Sequence, residues 1–463
     1  MTDAQDASTK PPAAANAFVV FGATGDLAGK MIVPALMRIV AGTPPPRIVA
    51  VGSRDDGAEQ LRGRMRAQVV AHDASLAAAF DAFAPRIAFV GGDLASDRVF
   101  ADVAKALGSA RNPVHYLAIP PSLFERALDG LVAAGLAGAK RPGARVAIEK
   151  PFGHDLASAQ ALEAAVARAL DPSAAWRIDH FLAKDPVRAL ADLRAQATFV
   201  DAPWRPGALA AIEITMAEAF GVGTRGAFYE RTGVLRDVFQ NHLLELVAIA
   251  TMDPCAPRDA EAFAAARIAA LRAIAPLAPG DVVYGQYDGY RDEPDVARGS
   301  DVATFLAVRL ASRAPRAAGV PIVVRAGKSM ALTATTLTLH LAGGDRMAFR
   351  LGPGDTGIAI RAARLAPHTL ARRMPLAIVA KTGDDEDRDA YVNILAALRD
   401  GDHSVSERAE GVFAAWRVVE PVLAAPIRVH RYARGSMGPA EADRLLPHGV
   451  RWLDAMTAPV TDP

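Results

Sequence analysis

From Ala17 the chain alternates short apolar runs with longer amphipathic ones: AFVVFG, a helical stretch to Val40, RIVAVG, a second helix, RIAFVGG, then VHYLAIP and ARVAIEK with helical stretches between. Apolar strands spaced by amphipathic helices predict a parallel sheet covered by helices on both faces, since strands buried on both sides need no polar alternation. After about residue 200 the texture changes. Leu209–Met216 (LAAIEITM), Asp301–Leu310 (DVATFLAVRL), Leu337–Leu341 (LTLHL) and Arg346–Leu351 (RMAFRL) alternate or follow closely without intervening helices, as antiparallel strands do. The expected fold is a doubly wound parallel α/β domain over residues 17–180, then an α+β domain with a large, mainly antiparallel sheet over 181–463. The helical pattern Val234–Ala250 (VLRDVFQNHLLELVAIA) and several alanine-rich helices would cover one face of that sheet. Residues 1–16 are polar, alanine-rich and broken by two prolines; without an apolar segment they predict a disordered tail and no export signal, which makes the cytoplasm the expected compartment.

Composition removes several function classes. At 463 residues one to three domains are expected. The 52 basic and 51 acidic side chains nearly cancel, so no chain-wide field favours nucleic acid or an anionic membrane. One cysteine, Cys255, excludes an intrachain disulfide and any cysteine-built metal site or cluster. No uncharged apolar run approaches the ~20 residues that cross a bilayer.

Four stretches carry chemistry. GATGDLAGK, Gly22–Lys30, follows the first expected strand and opens the first helix, where a Rossmann fold places its phosphate loop. Its spacing is Gly22-x-x-Gly25-x-x-x-Gly29 in place of G-x-G-x-x-G, and an ordinary tight turn is the alternative. Arg54, just past the second strand, offers a cationic fork suited to a ribose 2′-phosphate; NADP is favoured over NAD, unless Arg54 is only a solvated turn residue. Lysine is scarce, with eight against forty-four arginines, yet Lys150, Lys184 and Lys328 lie in dense motifs. IEKPFGHDL (Ile148–Leu156) ends a parallel strand, where such sheets bind ligands. RIDHFLAKDP (Arg177–Pro186) gathers Asp179, His180 and Lys184 ahead of a helix capped by Asp185 with Pro186 at its first position, a set suited to a phosphate ester or else a solvated loop. In LRDVFQNHL (Leu235–Leu243), 100° per residue puts Leu235, Phe239, His242, Leu246 and Ile249 on one stripe, so His242 is either a satisfied core residue or, held by Asp179, a general base.

Taken in order, these stretches resemble the glucose-6-phosphate dehydrogenase family over nearly the whole chain. YLAIPPS (Tyr116–Ser122), GTRGAFYERTGVLRDVFQNHLLE, YGQYDGY, GVPIVVRAGK and the late ARGSMGPAEADRLL extend the match. The resemblance implies His242 as the base on the anomeric hydroxyl, Asp179 as its partner, and His180 and Lys184 on the 6-phosphate. It implies Lys150 between substrate and cofactor, and Glu218, Asp237 and Lys328 on sugar hydroxyls. Gly22, Thr24, Gly25, Asp26 and Leu27 would form the phosphate loop, and Asp93 and Leu94 would lie near the adenosine. It further implies a 6-phospho-gluconolactone product, no metal, and face-to-face sheet packing in a homodimer or homotetramer; the basic residues of the mammalian enzymes' second NADP site are missing here, so one cofactor per subunit is expected.

Three departures matter. Phe181 stands where the family usually has tyrosine, Thr333 where it has a basic residue, and Met31 in its basic run after the loop, with Lys30 one place earlier. Losing one such contact predicts roughly ten-fold weaker substrate binding, or a different sugar or sugar phosphate. A non-catalytic dinucleotide sensor would have no need of Asp179 and His242. A short-chain reductase needs tyrosine four residues before lysine, which none of the seven tyrosines satisfies.

Overall fold

The computed structural model describes residues 13–39, 46–54, 57–354, 356–361, 376–380 and 386–453. The chain divides into two compact units: Met1–Phe152, Ala161–His180 and Asp387–Ser406 form the first, and Gly153–Gln160, Phe181–Glu386 and Glu407–Pro463 the second.

In the first unit β1 (Ala17–Phe21), β2 (Arg47–Gly52), β3 (Ile87–Gly91), β4 (Pro113–Leu117), β5 (Arg145–Glu149) and β6 (Ala175–Ile178) lie in the order β6-β5-β4-β1-β2-β3, every pair parallel. A two-residue strand at Ser406–Glu407 lies beyond β6. β1 and β4 are buried at every position, as their unbroken apolar pattern requires. Phe21, Val51 and Ile148 of the strands pack with Phe100, Leu107, Leu128 and Leu131 of the crossover helices in one core.

Two boundaries differ from the sequence expectation. Residues 387–406 belong to the first unit although the chain has by then passed through the second. The buried Arg145 guanidinium holds them there, its Nη1 donating to the carbonyls of Leu398 at 2.6 Å and Arg399 at 2.8 Å. Nor do residues 13–16 form a free tail. Arg145 Nη2 donates to the Ala13 carbonyl at 2.8 Å, the Ala15 N–H to the Arg399 carbonyl at 2.7 Å, and the Asn112 N–H to Asn16 Oδ1 at 3.2 Å. Local polarity suggested disorder; distant backbone partners override it. Residues 1–12 of the expected tail lie outside the described residues.

The second unit is built on a nine-stranded sheet. Its strands are β7 (Leu209–Ala217), β8 (Val282–Tyr287), β9 (Phe305–Leu310), β10 (Ile322–Gly327), β11 (Ala334–Leu341), β12 (Arg346–Gly352), β13 (Thr356–Arg361), β14 (Leu376–Ala380) and β15 (Val429–Tyr432). Their order is β14-β13-β12-β11-β7-β10-β9-β8-β15, antiparallel except for the parallel pairs β7–β10 and β8–β15. The helix Asp185–Gln196 packs on β12, and the helical turn Leu235–Leu243 on β10. Strand alternation gives one apolar face, with Ile212, Ile214, Leu337 and Leu339, and one polar face, with Glu213, Thr215, Arg325 and His340. On the polar face His340 Nε2 lies 2.8 Å from Glu213, which also accepts the Leu453 N–H at 2.9 Å, while Arg325 donates to Thr215 Oγ1 and to the Leu453 carbonyl.

The expected cap shifts by one residue: Lys184 occupies the position before the helix, where its side chain does not cap the helix's N–H groups, and Asp185 begins it. Among the described residues no helix is long and apolar enough to cross a membrane.

Because Arg145 alone supplies three of these bonds, Arg145→Met should cost about 3 kcal/mol of stability at roughly 1 kcal/mol per lost bond. Urea unfolding checks this, and an unchanged midpoint would show that residues 387–406 are held by other contacts.

Candidate active site

Parallel strands end together, so the first unit gathers its motifs on one sheet edge. The glycine loop follows β1, Arg54 follows β2, Asp93 and Leu94 follow β3, Lys150 follows β5, and Asp179 and His180 follow β6. The strand order reverses between β1 and β4, the place where open α/β sheets bind ligands. Gly22 has φ +78°, and a Cβ there would lie 2.2 Å from the Ala118 carbonyl oxygen, so glycine is required for the chain to pass. The Gly25 N–H donates to the Gly22 carbonyl at 2.9 Å, closing the loop before the helix that starts at Ala28. Thr24 and Leu27 are half-buried, whereas Gly25, Asp26 and Arg54 are exposed. Asp26 pairs with His72 Nε2 at 2.7 Å, and Asp93 Oδ1 accepts the Ala95 N–H at 2.9 Å. The loop turns exposed backbone toward a helix start, which fits a pyrophosphate. Lys30 is exposed and Met31 buried, so the basic side chain at this helix start is Lys30.

Next to Lys150 is a group that sequence reasoning missed. The Glu149 carboxyl is buried, and its Oε1 accepts the Tyr116 hydroxyl at 2.5 Å and the Tyr391 hydroxyl at 3.1 Å. Burial pushes it up to about 7, although both tyrosines and Lys150 pull it down; Asp179 adds to the rise. The same Tyr391 ring stacks on the His180 imidazole, centroids 6.0 Å apart and planes 17° apart. Nothing local in the sequence pairs Tyr391 with residues more than two hundred positions earlier. The only hint was an acid inside the IEKP motif.

The second unit assembles a separate set. Gly327 pairs with Ala217 across the parallel β7–β10 ladder, so the next residues, Lys328 and Glu218, meet, with Nζ 2.5 Å from Glu218 Oε2. Asp237 Oδ2 lies 3.9 Å from the same ammonium, and the rings of Phe220 and Tyr229 stand 5.4 and 5.5 Å from it. The Lys328 carbonyl accepts the Tyr432 hydroxyl at 2.6 Å. Ser329, at φ +51°, is locked in that conformation by its N–H to Phe220 and its carbonyl from Gly435. Thr333 Oγ1 accepts the Ala219 N–H at 2.9 Å, fixing the segment beside Glu218.

Asp237 and His242 lie on Leu235–Leu243, which is wound as a π-helix, wider than the α-helix expected there. Asn241 supports the wide turn, its amide donating to the Arg236 carbonyl at 3.1 Å and its Oδ1 accepting the His242 N–H at 2.7 Å. Such turns recur at functional sites because they redirect side chains. His242 is buried, with its ring 5.3 Å from that of Phe181, and Lys184 Nζ stands 6.0 Å from the centroid of the same Phe181 ring.

A glycine loop at the switch point of a parallel sheet in one unit and, in the other, an ammonium buried between two carboxylates with a histidine on a π-helical turn are the parts of a dinucleotide-binding oxidoreductase of two units. Family models agree: "Glucose-6-phosphate dehydrogenase, NAD binding domain" matches residues 19–189 and "Glucose-6-phosphate dehydrogenase, C-terminal domain" matches 191–453. The glucose-6-phosphate 1-dehydrogenase 1 of Mycobacterium tuberculosis is 37% identical over 453 residues, covering 94% of this chain and 95% of its own. The crystal structure of glucose-6-phosphate 1-dehydrogenase from Mycobacterium avium superposes with a TM-score of 0.85 at 34% identity, covering 93% of this chain and 97% of that one. A glucose-6-phosphate dehydrogenase in complex with its substrate glucose-6-phosphate gives 0.83 at 26% identity, covering 95% and 98%. The chain belongs to the glucose-6-phosphate dehydrogenase family.

Glu149 sets a pH dependence of stability. Its folded value is raised from the ordinary 4.5 to about 7, so its contribution is full below pH 4.5 and is lost as pH rises through 7, about 3 kcal/mol in all. In Glu149→Gln, which keeps acceptors for both tyrosines, urea unfolding at pH 5 and pH 8 should differ by about that much less than in the parent.

Proposed function

We propose that this protein oxidises glucose 6-phosphate at C1 to 6-phospho-gluconolactone, the entry step of the pentose phosphate pathway, with NADP as the preferred acceptor and NAD as a possible second. The observation that carries the reading is the sequence likeness to glucose-6-phosphate 1-dehydrogenases along 94% of the chain. Its organisation into a dinucleotide edge and a buried cation–carboxylate cluster supports it.

In this mechanism His242 removes the proton of the anomeric hydroxyl, and Asp179 holds the other ring nitrogen and offsets the imidazolium charge. His180 and Lys184 hold the phosphate with charge-assisted bonds. Glu218, Asp237 and Lys328 bind hydroxyls, the paired carboxylates accepting and the ammonium donating. Lys150 lies between substrate and cofactor. The nicotinamide, when bound, accepts the hydride leaving C1. Gly22, Thr24, Gly25, Asp26 and Leu27 cradle the pyrophosphate, Asp93 and Leu94 border the adenosine, and Arg54 meets the 2′-phosphate. A cytoplasmic homodimer or homotetramer completes the reading.

Initial rates with a panel of sugar phosphates and free sugars, each with NADP and NAD, test it; clear preference for another sugar phosphate would overturn the substrate. His242→Asn should lower kcat by roughly 10²–10⁴, and a variant as fast as the parent would remove the base. Arg54→Ala should raise KM for NADP about ten-fold or more and leave KM for NAD unchanged, because only NADP carries the phosphate. Equal effects on both would remove the 2′-phosphate contact.

A further inference from the structure

Within the first unit a line of contacts runs across three strand ends. The Tyr116 hydroxyl, from β4, and the Tyr391 hydroxyl, from the helix Glu386–Asp400, both bind Glu149 at the end of β5. The Tyr391 ring then stacks on His180, just past β6, at a separation within the ordinary range for interacting rings. Tyr391 is only 4% exposed, whereas His180 is partly open and able to meet a ligand. An imidazole stacked on a ring tethered at its far end loses rotamer freedom before any ligand arrives, so less freedom remains to be lost on binding.

We propose that Tyr391 is a positioning residue of the substrate site, its ring fixing the plane of the His180 imidazole and its hydroxyl anchoring that ring to Glu149. This rests on the reading of His180 as a phosphate ligand. Tyr391 does not touch substrate; it acts through His180 and therefore on affinity for the phosphorylated sugar.

The test is a graded pair of variants of the full chain, assayed with glucose 6-phosphate and NADP. Tyr391→Phe keeps the ring and loses the anchor, and should raise KM for glucose 6-phosphate about threefold; Tyr391→Met keeps the volume and loses the plane, and should raise it about ten-fold or more. In both, kcat and KM for NADP should stay within about twofold of the parent, a split that general loosening of the fold does not produce. The inference is overturned if KM for glucose 6-phosphate does not move, or if kcat and KM for NADP worsen equally. Should Tyr391→Met fail to fold, Tyr391→Phe decides alone, a threefold rise supporting the role and an unchanged KM refuting it. His180→Asn separates the two levels. If it raises KM while the Tyr391 variants do not, only the positioning role falls; if it leaves KM unchanged, the phosphate role of His180 falls and this inference with it.

Discussion

In each unit the candidate site residues depend on strands that run in the same direction. Paired parallel strands finish side by side, about 4.8 Å apart, so the residues that follow them are neighbours however distant in sequence. In the first unit this brings the turns after all six strands to a single edge. In the second, mainly antiparallel sheet the rule applies at β7–β10, and there it matters most: Ala217 faces Gly327, and Glu218 and Lys328 follow. Had that pair been antiparallel, the acid and the ammonium would lie at opposite ends of the sheet.

Placing charges this way removes them from water, and the two units answer that cost differently. Lys328, with 7% of its side chain exposed, is compensated by Glu218, Asp237 and two aromatic faces, which keeps a buried ammonium tolerable. Glu149 receives tyrosine hydroxyls, neutral donors that offset only part of its desolvation, and its carboxyl rises to about 7. One pairing yields a fixed, compensated cluster; the other leaves a carboxyl raised to about 7.

What the residues disclosed before the fold was known follows the range of the interactions concerned. Strand and helix periodicity is local, and β1 to β5, β7, β9, β11 and β12 fall where the apolar patterns placed them. The glycine loop and Lys150 followed, being defined relative to their own strands. The return of residues 387–406 was not legible, since it depends on Arg145 bonding carbonyls some 250 positions away, which leave no trace in composition. Tyr391 was hidden for the same reason. The π-helical winding at His242 escaped because a 100° stripe assumes the regular helix, although Leu235, Phe239, Leu246 and Ile249 are buried as that stripe predicted. Two of the residues that sustain the winding, Arg236 and Asn241, were in plain view without a signal of their own.

The three departures from the family pattern no longer weigh equally. Met31 is core, and the neighbouring Lys30 is the exposed cation, so the basic group at the helix start is displaced by one residue and not lost. Thr333 uses its hydroxyl to hold the Ala219 N–H, a backbone role beside Glu218 that a long basic side chain lacks the acceptor to fill. Phe181 is different: it is buried, it packs on His242, and Lys184 approaches its ring. Its packing role persists without a hydroxyl, but a bond to phosphate does not. On the proposed reading, how firmly a phosphorylated sugar is held therefore narrows to one ring position, with Lys184 and the stacked His180 as the groups proposed to supply the charge.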